Sequence, residues 1–213
     1  MISTPEFKRQ VSKLFGAEMR KLGFKGTGFT YKKETQNFLI AVHLEGNRWG
    51  GSSCTAHFAI HPKSIGKNSG GSLDLKKLPT HRYEFKMGLW DYPRGESWEY
   101  SNVEEENLQV ILEIVARIKA KAIPVIELYC AIPGLLDTFE VSDMSDFHAN
   151  YVRKTGTSIA TTDGRFAWAM AMIFEHTNLP KAKLFAEYCL SSCGAPDDHT
   201  FFGHQDLERI SKA

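Results

Sequence analysis

Apolar and polar residues alternate along three stretches near the start of the chain, residues 29–32, 38–45 and 53–61. Such alternation is typical of β-strands with one buried face, because successive side chains point to opposite sides of a sheet. We expect Glu45 to lie opposite Ser53 across the connecting loop, which places the apolar residues of both longer strands on one face. Those residues are Phe38, Ile40, Val42 and Leu44 in one strand and Cys54, Ala56, Phe58 and Ile60 in the next.

Helical spacing replaces the alternation on both sides of these stretches. Apolar residues recur at intervals of three and four from Phe7 to Leu22, and Gly23 follows at a position where helices often end in a left-handed residue. A second apolar stripe predicts a helix over Val103 to Ala122, which we expect to break near Pro124. These two helices are the natural cover for one face of the sheet, since an isolated hairpin is marginal in water.

The connection that follows the third strand is long and polar. Residues 62–79 are rich in glycine and charge, and loops of this length are commonly functional or disordered, so we predict a flexible excursion. Alternation returns in residues 81–88, which predicts a fourth strand. Beyond residue 133, apolar stripes over 143–154, 164–176 and 180–193 predict three more helices.

Together these elements predict an α+β protein: an antiparallel sheet of about four strands covered by two long helices, with a helical C-terminal extension. A chain of 213 residues is long enough to bury a sizeable core, as one large domain or as a domain with an appendage. We place the sheet domain at residues 1–132. Residues 133–213 form a helical region that is packed on that domain or appended to it.

Charge is unevenly distributed along the chain, although the net charge is only +1. Residues 1–50 hold nine Lys and Arg against four Asp and Glu, whereas residues 101–150 hold three against nine. Opposite charges in two parts of one chain can neutralise each other on folding, so this pattern argues against a nucleic-acid partner. Nucleic-acid binding by the basic N-terminal part is kept only as a third hypothesis.

Neither a secretion signal nor a membrane-spanning segment is visible in the sequence. The first ten residues lack the basic start and apolar run of a signal, and no stretch approaches the ~18 apolar residues of a membrane helix. The cysteines, Cys54, Cys130, Cys189 and Cys193, show no CxxC pair, which favours reduced and buried thiols. The spacing of Cys189 and Cys193 also keeps metal or redox chemistry open. We expect a cytoplasmic protein without membrane contact.

Four aromatic residues are concentrated between Leu89 and Tyr100, around a proline and a glycine. Aromatic side chains in a loop offer a large apolar contact area at a small cost in side-chain entropy, so they are candidates for binding another protein. The alternative is that they fold inward and close one end of the core, because tryptophan is highly buried on average. The candidate binding residues are Trp90, Tyr92, Trp98 and Tyr100.

Three histidines, His43, His57 and His61, lie on the polar face of the predicted strands. His43, with Glu45 nearby, would meet His57 diagonally across the hairpin, which gives a candidate metal or acid–base site. His57 and His61 are four positions apart on one strand, roughly 13 Å, which is too far to share one ion. The alternative is an ordinary polar sheet face. No catalytic or phosphate-binding motif is present, so no cofactor is predicted and an enzyme is left open without support.

The order of these elements resembles the bacterial family called domain of unknown function 4304 (DUF4304), over residues 5 to about 130. The resemblance rests on a Leu-Gly-Phe turn after the first helix, Leu22 to Phe24, and on aromatic and basic residues in the first strand, 29–33. The chain departs from the family pattern at Trp98, which is followed by Glu99 instead of a second tryptophan. The resemblance implies no established activity and no catalytic residues. Some members in bacterial conflict or toxin neighbourhoods favour a binding role, by analogy alone.

These features lead us to expect a non-enzymatic, cytoplasmic protein-binding module whose partner is another protein. Recognition would use the loop from Trp90 to Tyr100 and the adjoining sheet edge. The alternative is a small-molecule or metal-binding protein, or an enzyme, that uses the sheet face with His43, His57 and His61. The sequence leaves the oligomeric state open.

Overall fold

An antiparallel sheet is the central element of the computed structural model, which describes residues 5–46, 51–68, 71–89, 97–131, 134–192 and 203–213. The strands are β1 (Lys25–Thr27), β2 (Thr30–Glu34), β3 (Phe38–Gly46), β4 (Ser53–Pro62), β5 (Lys67–Asn68), β6 (Gly71–Ser72), β7 (Phe85–Gly88) and β8 (Trp98–Glu99). The main sheet has the order β1-β2-β3-β4-β7, with β8 also paired to β4, while β5 and β6 form a separate hairpin. The α+β prediction is confirmed, with six described strands in the main sheet instead of about four.

Helices precede and follow the sheet. α1 runs through Pro5–Gln10, the π-helical turn Val11–Phe15 and Gly16–Lys21, and α2 through Glu104–Arg117, the π-helical turn Ile118–Ala122 and Ile123–Cys130. After the 3₁₀ turns Leu135–Thr138 and Val141–Asp146 come α3 (Phe147–Thr155), α4 (Asp163–Phe174), α5 (Leu179–Ser192) and α6 (His204–Lys212). The three helices predicted over residues 143–193 are confirmed. No helix within the described ranges is long and apolar enough to cross a membrane.

The pairing of β3 with β4 is the longest in the sheet. Its register places Glu45 opposite Thr55, so the prediction that Glu45 faces Ser53 was wrong by two residues. A shift of two residues leaves every side chain on the same face, because side chains alternate with a period of two. The apolar positions of both strands therefore share one buried face, as the alternation predicted.

This apolar face is covered by α1 and α2. Phe15 of α1 packs edge-on against Tyr31 of β2, with ring centres 5.4 Å apart. Gly23 follows the last turn of α1 with φ +84°, the left-handed conformation that its position predicted. The fully buried side chains of α1 are Phe7, Val11, Phe15 and Met19.

α2 continues through Pro124 instead of breaking before it. The prediction of a break rested on the missing N–H of proline, which removes one helical hydrogen bond. In the structure Pro124 lies in the first turn of Ile123–Cys130, directly after the π-helical turn Ile118–Ala122. A π turn locally changes the hydrogen-bond spacing of a helix, so the chain absorbs the proline without leaving helical geometry.

The opposite face of the sheet is covered only in part, by the segment that follows β4. The prediction of a flexible excursion over residues 62–79 was wrong for the part of that range that the structure describes. Its leucines remove apolar surface from water by packing back on the sheet, and this burial stabilises the segment. The resulting second core consists of Leu39, Ala41, Ala59, Leu78 and Tyr83, with Leu73 and Leu75 packed against it.

The predicted fourth strand is shorter than its alternation suggested. Thr80–Arg82 form a 3₁₀ turn, and only Phe85–Gly88 pair with β4. Tyr83, between these two elements, is turned into the second core. The first part of the alternating pattern therefore reflects packing on the sheet and not pairing within it.

The C-terminal region continues both the sheet and its main core. Ile159 forms a β-bridge with Met87, and the N–H of Ala160 donates to the carbonyl oxygen of Lys86 at 2.8 Å. The hydroxyls of Tyr129 and Tyr151 share a buried hydrogen bond of 2.6 Å. Side chains from before and after residue 133 thus belong to one continuous hydrophobic core.

An ion pair between a partly exposed guanidinium and a buried carboxylate joins α4 to the residue before β7. The guanidinium of Arg165 donates from Nε and Nη2 to the two carboxylate oxygens of Glu84, at 2.6 and 2.8 Å. The Glu84 side chain is only 2% exposed, and Arg165 also lies over the ring of Trp168, 4.9 Å from its centre. Two parallel bonds of this kind fix the orientation of both charged groups.

Removal of one partner of this ion pair should destabilise the fold strongly. Arg165→Met leaves the Glu84 carboxylate buried without a counter-charge, and we expect the free energy of unfolding to fall by about 3–5 kcal/mol. Glu84→Leu/Arg165→Met removes both charges and should recover most of this loss. Urea denaturation of the wild type, both single variants and the double variant measures these effects. A loss below about 1 kcal/mol in Arg165→Met would match a solvent-exposed pair and contradict the structure.

Candidate functional site

The part of the sheet face that the second core leaves uncovered carries two histidines side by side. His43 of β3 and His57 of β4 are direct partners in the register, and Ala41 and Ala59 form the next pair toward the second core. Opposite residues on one face have Cβ atoms about 4.5–5.5 Å apart, so the two imidazoles are neighbours. The structure thus brings His43 and His57 together directly across the hairpin and not diagonally as predicted.

His43 is partly buried and is held by the neighbouring strand. Its Nδ1 shares a hydrogen bond of 2.7 Å with the hydroxyl of Thr30, its partner in the pairing of β2 and β3. Burial lowers the pKa of His43, and the Glu45 carboxylate and the Phe29 carbonyl oppose that shift without cancelling it. The imidazole is therefore neutral at pH 7, with one ring nitrogen donating and the other accepting.

His57 lies between a carboxylate and an ammonium group. Its Nε2 shares a hydrogen bond of 2.9 Å with the hydroxyl of Thr55 and is 3.8 Å from Oε2 of Glu45. Burial is the main reason that the pKa of His57 is lowered. The Glu45 carboxylate raises this pKa, whereas His43 and Lys86 lower it further. His57 is consequently also neutral at pH 7.

His61 does not join the other two histidines. It lies four residues from His57 along β4, about 13 Å at the spacing of an extended strand. The second core buries it, with Nε2 3.0 Å from the carbonyl oxygen of Ile65. A metal site shared by His43, His57 and His61 is therefore not formed. Within the described ranges, no group of three His, Cys, Asp or Glu side chains is placed to hold a metal ion.

A concavity of about 530 Å³, which we call the histidine concavity, opens over the uncovered part of the face. Its floor is low because the side chains there are small. Ala41 and Ala59 form one row of the sheet, and Gly88 of β7 extends the row of His57. The lining residues are Ala41, His43, Glu45, His57, Phe58, Ala59, Thr80, His81, Lys86, Met87, Gly88 and Ala160.

A second concavity, of about 350 Å³, adjoins the first, and Lys86 and Ala160 line both. We call it the basic concavity. Among the described residues, Arg82, Lys86 and Arg165 line it with positive charge, against the single carboxylate of Glu84. That carboxylate is already bound by Arg165, so positive charge is in excess. The lining residues are His81, Arg82, Tyr83, Glu84, Lys86, Ala160, Thr161, Thr162 and Arg165.

A third concavity, of about 890 Å³, lies on the other side of Ala160, between α3 and the segment that bridges to β7. We call it the α3 concavity. Val152 of α3 and Ile159 contribute apolar side chains to it. The lining residues are Gly88, Asp146, His148, Ala149, Val152, Arg153, Ser158, Ile159 and Ala160.

The groups around the histidine concavity supply both hydrogen-bond donors and acceptors. One ring nitrogen of each imidazole bonds to a threonine hydroxyl at the rim, Glu45 brings a carboxylate, and Lys86 brings an ammonium group. Such a set can orient a polar ligand by several directed bonds. His57 beside Glu45 is also able to exchange a proton with a bound molecule.

Two of the four predicted aromatic binding residues are buried, and two lie outside the described residues. Trp98 is 6% and Tyr100 3% exposed, and Tyr100 stacks on Phe7 of α1 with ring centres 4.3 Å apart. Trp98 and Tyr100 thus close one end of the core, as the burial preference of large aromatic side chains favours, and offer no contact surface. Trp90 and Tyr92 belong to residues 90–96, which the structure does not describe.

Sequence reasoning missed the wall that the C-terminal region adds to this site. Ala160 and Arg165 reach the sheet through a bridge between residues far apart in the chain, and no local pattern signals that contact. Lys86 was recognisable, because its alternation with Phe85 and Met87 places it on the same face as the histidines. The sequence did not reveal the pairing of β7 with β4. In the structure Lys86 pairs with Ala59, which places Lys86 one row of the sheet from His57.

The pKa values of His43 and His57 provide a direct test of this geometry. We expect both to titrate below the ordinary histidine value of 6.5 in NMR measurements of the ring protons. Glu45→Gln should lower the pKa of His57 further, because it removes a charge that favours the imidazolium form. Lys86→Met should raise it, because it removes a repelling charge. Shifts of the same sign in both variants would contradict the placement of His57 between the two groups.

Comparison with known proteins identifies one family. A family model described as a domain of unknown function (DUF4304) matches residues 15–128. No curated protein matches the chain, and no solved structure matches it. The matched residues include His43, His57 and Lys86 and end before the C-terminal wall of the site. Because the match spans more than half of its 213 residues, the chain belongs to the DUF4304 family, as the resemblance predicted.

Proposed function

We propose that the protein binds a small polar molecule in the histidine concavity. The observation that carries this proposal is the pair of neutral imidazoles, His43 and His57, at a hollow that the rest of the fold leaves uncovered. Part of the same sheet face is sealed by the second core, so the opening is confined to the part with polar groups. A binding role is thereby favoured over a merely solvated sheet face.

The size and chemistry of the histidine concavity support a ligand of this kind. Its volume of about 530 Å³ lies within the roughly 300–1,000 Å³ of typical small-molecule sites. Thr30 and Thr55 hold the two imidazoles through hydrogen bonds of 2.7 and 2.9 Å. Side chains that are held in place in the free protein lose little entropy on binding, which favours affinity.

Small molecules from a bacterial extract provide the test. The purified protein is incubated with the fraction below about 1 kDa, desalted and denatured, and the released compounds are identified by mass spectrometry. We expect at least one compound to be retained by the wild type and reduced at least tenfold in His57→Gln, which corresponds to about 1.4 kcal/mol or more of lost binding.

His176→Gln is the matched control for this experiment. His176 is exposed at the end of α4 and lines none of the three concavities. The control should retain the same compound as the wild type, and unchanged thermal midpoints should show that both variants are folded. Equal retention by His57→Gln, or no retained compound in any sample, would count against the proposal.

A protein partner is the second candidate function, and the α3 concavity favours it. Val152 is 37% exposed there, beside the apolar side chain of Ile159. Exposed apolar surface in a concave site is a common feature of protein interaction sites.

Paired charge substitutions distinguish a partner bound at the α3 concavity. Val152→Glu should abolish capture of a protein partner from cell lysate, because a carboxylate in the contact is costly to desolvate. Leu184→Glu places the same charge at a residue that is 52% exposed on α5 and should not change capture. A partner that both variants retain equally would rule out the α3 concavity as its binding surface.

We also propose a bacterial origin and a cytoplasmic location. The family resemblance supports the first. The free thiols of Cys54 and Cys130 support the second, since reducing compartments keep cysteines unpaired. Burial raises the pKa of the Cys54 thiol to about 12, which makes it a packing residue without redox reactivity. Cys193 lies outside the described residues.

A further inference from the structure

We propose that the basic concavity binds an anionic group, a carboxylate or a phosphate, of the same small molecule that the histidine concavity holds. The inference rests on the proposed small-molecule function and adds the charge and chemical class of the ligand. The two concavities share Lys86 and Ala160, so one molecule can extend from one into the other. The anionic group lies at the shared boundary, beside the Lys86 ammonium.

Lys86 and Arg82 are the cations that attract the anionic group. Neither has a carboxylate partner in the part of the chain that the structure describes. Arg165, the third cation, is bound to both carboxylate oxygens of Glu84. Cationic groups without counter-charges attract anions most strongly in a concave site, where the low dielectric of the protein walls focuses the field.

The sheet register fixes the place of Lys86 between the two concavities. Lys86 is directly opposite Ala59, on the same face as His57, and is only partly exposed. Its charge is close enough to His57 to disfavour the imidazolium form. A ligand anion at Lys86 therefore also lies within reach of the histidine pair, which can donate a hydrogen bond to it.

The carboxylates among the described lining residues, Glu45 and Glu84, do not compete for this position. Glu84 is held by Arg165, and Glu45 lies two rows of the sheet away from the row of Ala59 and Lys86. Two rows correspond to four residues along a strand, about 13 Å. Negative charge thus lies at the far end of the histidine concavity, and a ligand with its anionic group at Lys86 avoids repulsion.

The floor of the histidine concavity indicates what the remainder of the ligand is like. Ala41 and Ala59 present methyl groups, and they belong to the second core on one side. Both are already buried, Ala41 at 1% and Ala59 at 7% exposure, so the floor is closed there and the remainder of the ligand is small. The ligand class is therefore a small organic acid or phosphate monoester.

Four matched aromatic probes test the charge preference directly. Benzoate and phenyl phosphate carry the anion, benzamide is the neutral analogue, and benzamidine is the cationic analogue. Ring-proton NMR signals of His57 and His81 in the full chain are followed during titration with each probe at pH 7. We expect both anions to shift these signals saturably, benzamide to bind at least tenfold more weakly, and benzamidine to cause no shift.

Two variants and one control locate the binding. Lys86→Met should weaken binding of both anions at least tenfold, and Arg82→Gln should weaken it by a smaller factor. Lys25→Met, at an exposed residue of β1, removes the same charge from the same sheet and should leave the affinities unchanged. Thermal midpoints within about 2 °C of the wild type show that each variant is folded, so that lost binding is not mistaken for a folding defect.

The outcomes separate this inference from the function on which it rests. Tighter binding of phenyl phosphate identifies a phosphate ligand, and tighter binding of benzoate identifies a carboxylate. If benzamide or benzamidine shifts His57 as strongly as the anions, the site binds small molecules without preferring anions, and only the present inference fails. If no probe shifts His57, the proposed function loses its support as well. Undiminished anion binding by Lys86→Met would overturn the placement at the basic concavity.

Discussion

The ladder between β3 and β4 is the contact on which the remaining structure depends, and its register assigns both faces of the sheet at once. One face receives the apolar side chains that α1, α2 and the C-terminal helices bury in the main core. The other face receives His43 and His57 as direct partners. Because side chains alternate strictly, a slip of one residue would move the histidines into the core and the core residues into water. The core thus enforces the arrangement of the candidate site, which needs no separate stabilisation.

Local patterns were sufficient for the parts of the fold that depend on neighbouring residues. Alternation in residues 38–45 and 53–61 identified the faces of two strands, and helical spacing with Gly23 identified α1 and its end. The register was missed by two residues because a period of two is blind to such a shift. The course of α2 through Pro124 was missed because local unwinding into a π turn leaves no distinctive trace in a stripe of apolar residues.

Contacts between distant parts of the chain account for the errors at the candidate site. Aromatic residues near a proline and a glycine have the same composition whether they bind a partner or fill a core. Tyr100 is buried by stacking on Phe7 of α1, and Trp98 is buried where β8 pairs with β4. His43 and His57 could be paired from the sequence because a hairpin brings them together over a short stretch. The leucines that return to cover the adjoining part of the face could not be placed, since nothing local marks their destination.

The position of the wall around Ala160 indicates how the sequences of related proteins with this sheet can differ. The floor and the histidine pair lie within residues 15–128, the part that matches the family, whereas the wall lies outside it. The wall is attached through the backbone hydrogen bond from Ala160 to Lys86, and a backbone bond makes no demand on side-chain identity. Substitutions at Ala160, Thr161 and Thr162, which lie outside the main core and outside the ion pair of Glu84 and Arg165, can therefore change the lining while the sheet keeps its register. The lining of the two concavities can thus differ between chains at residues outside the part that matches the family.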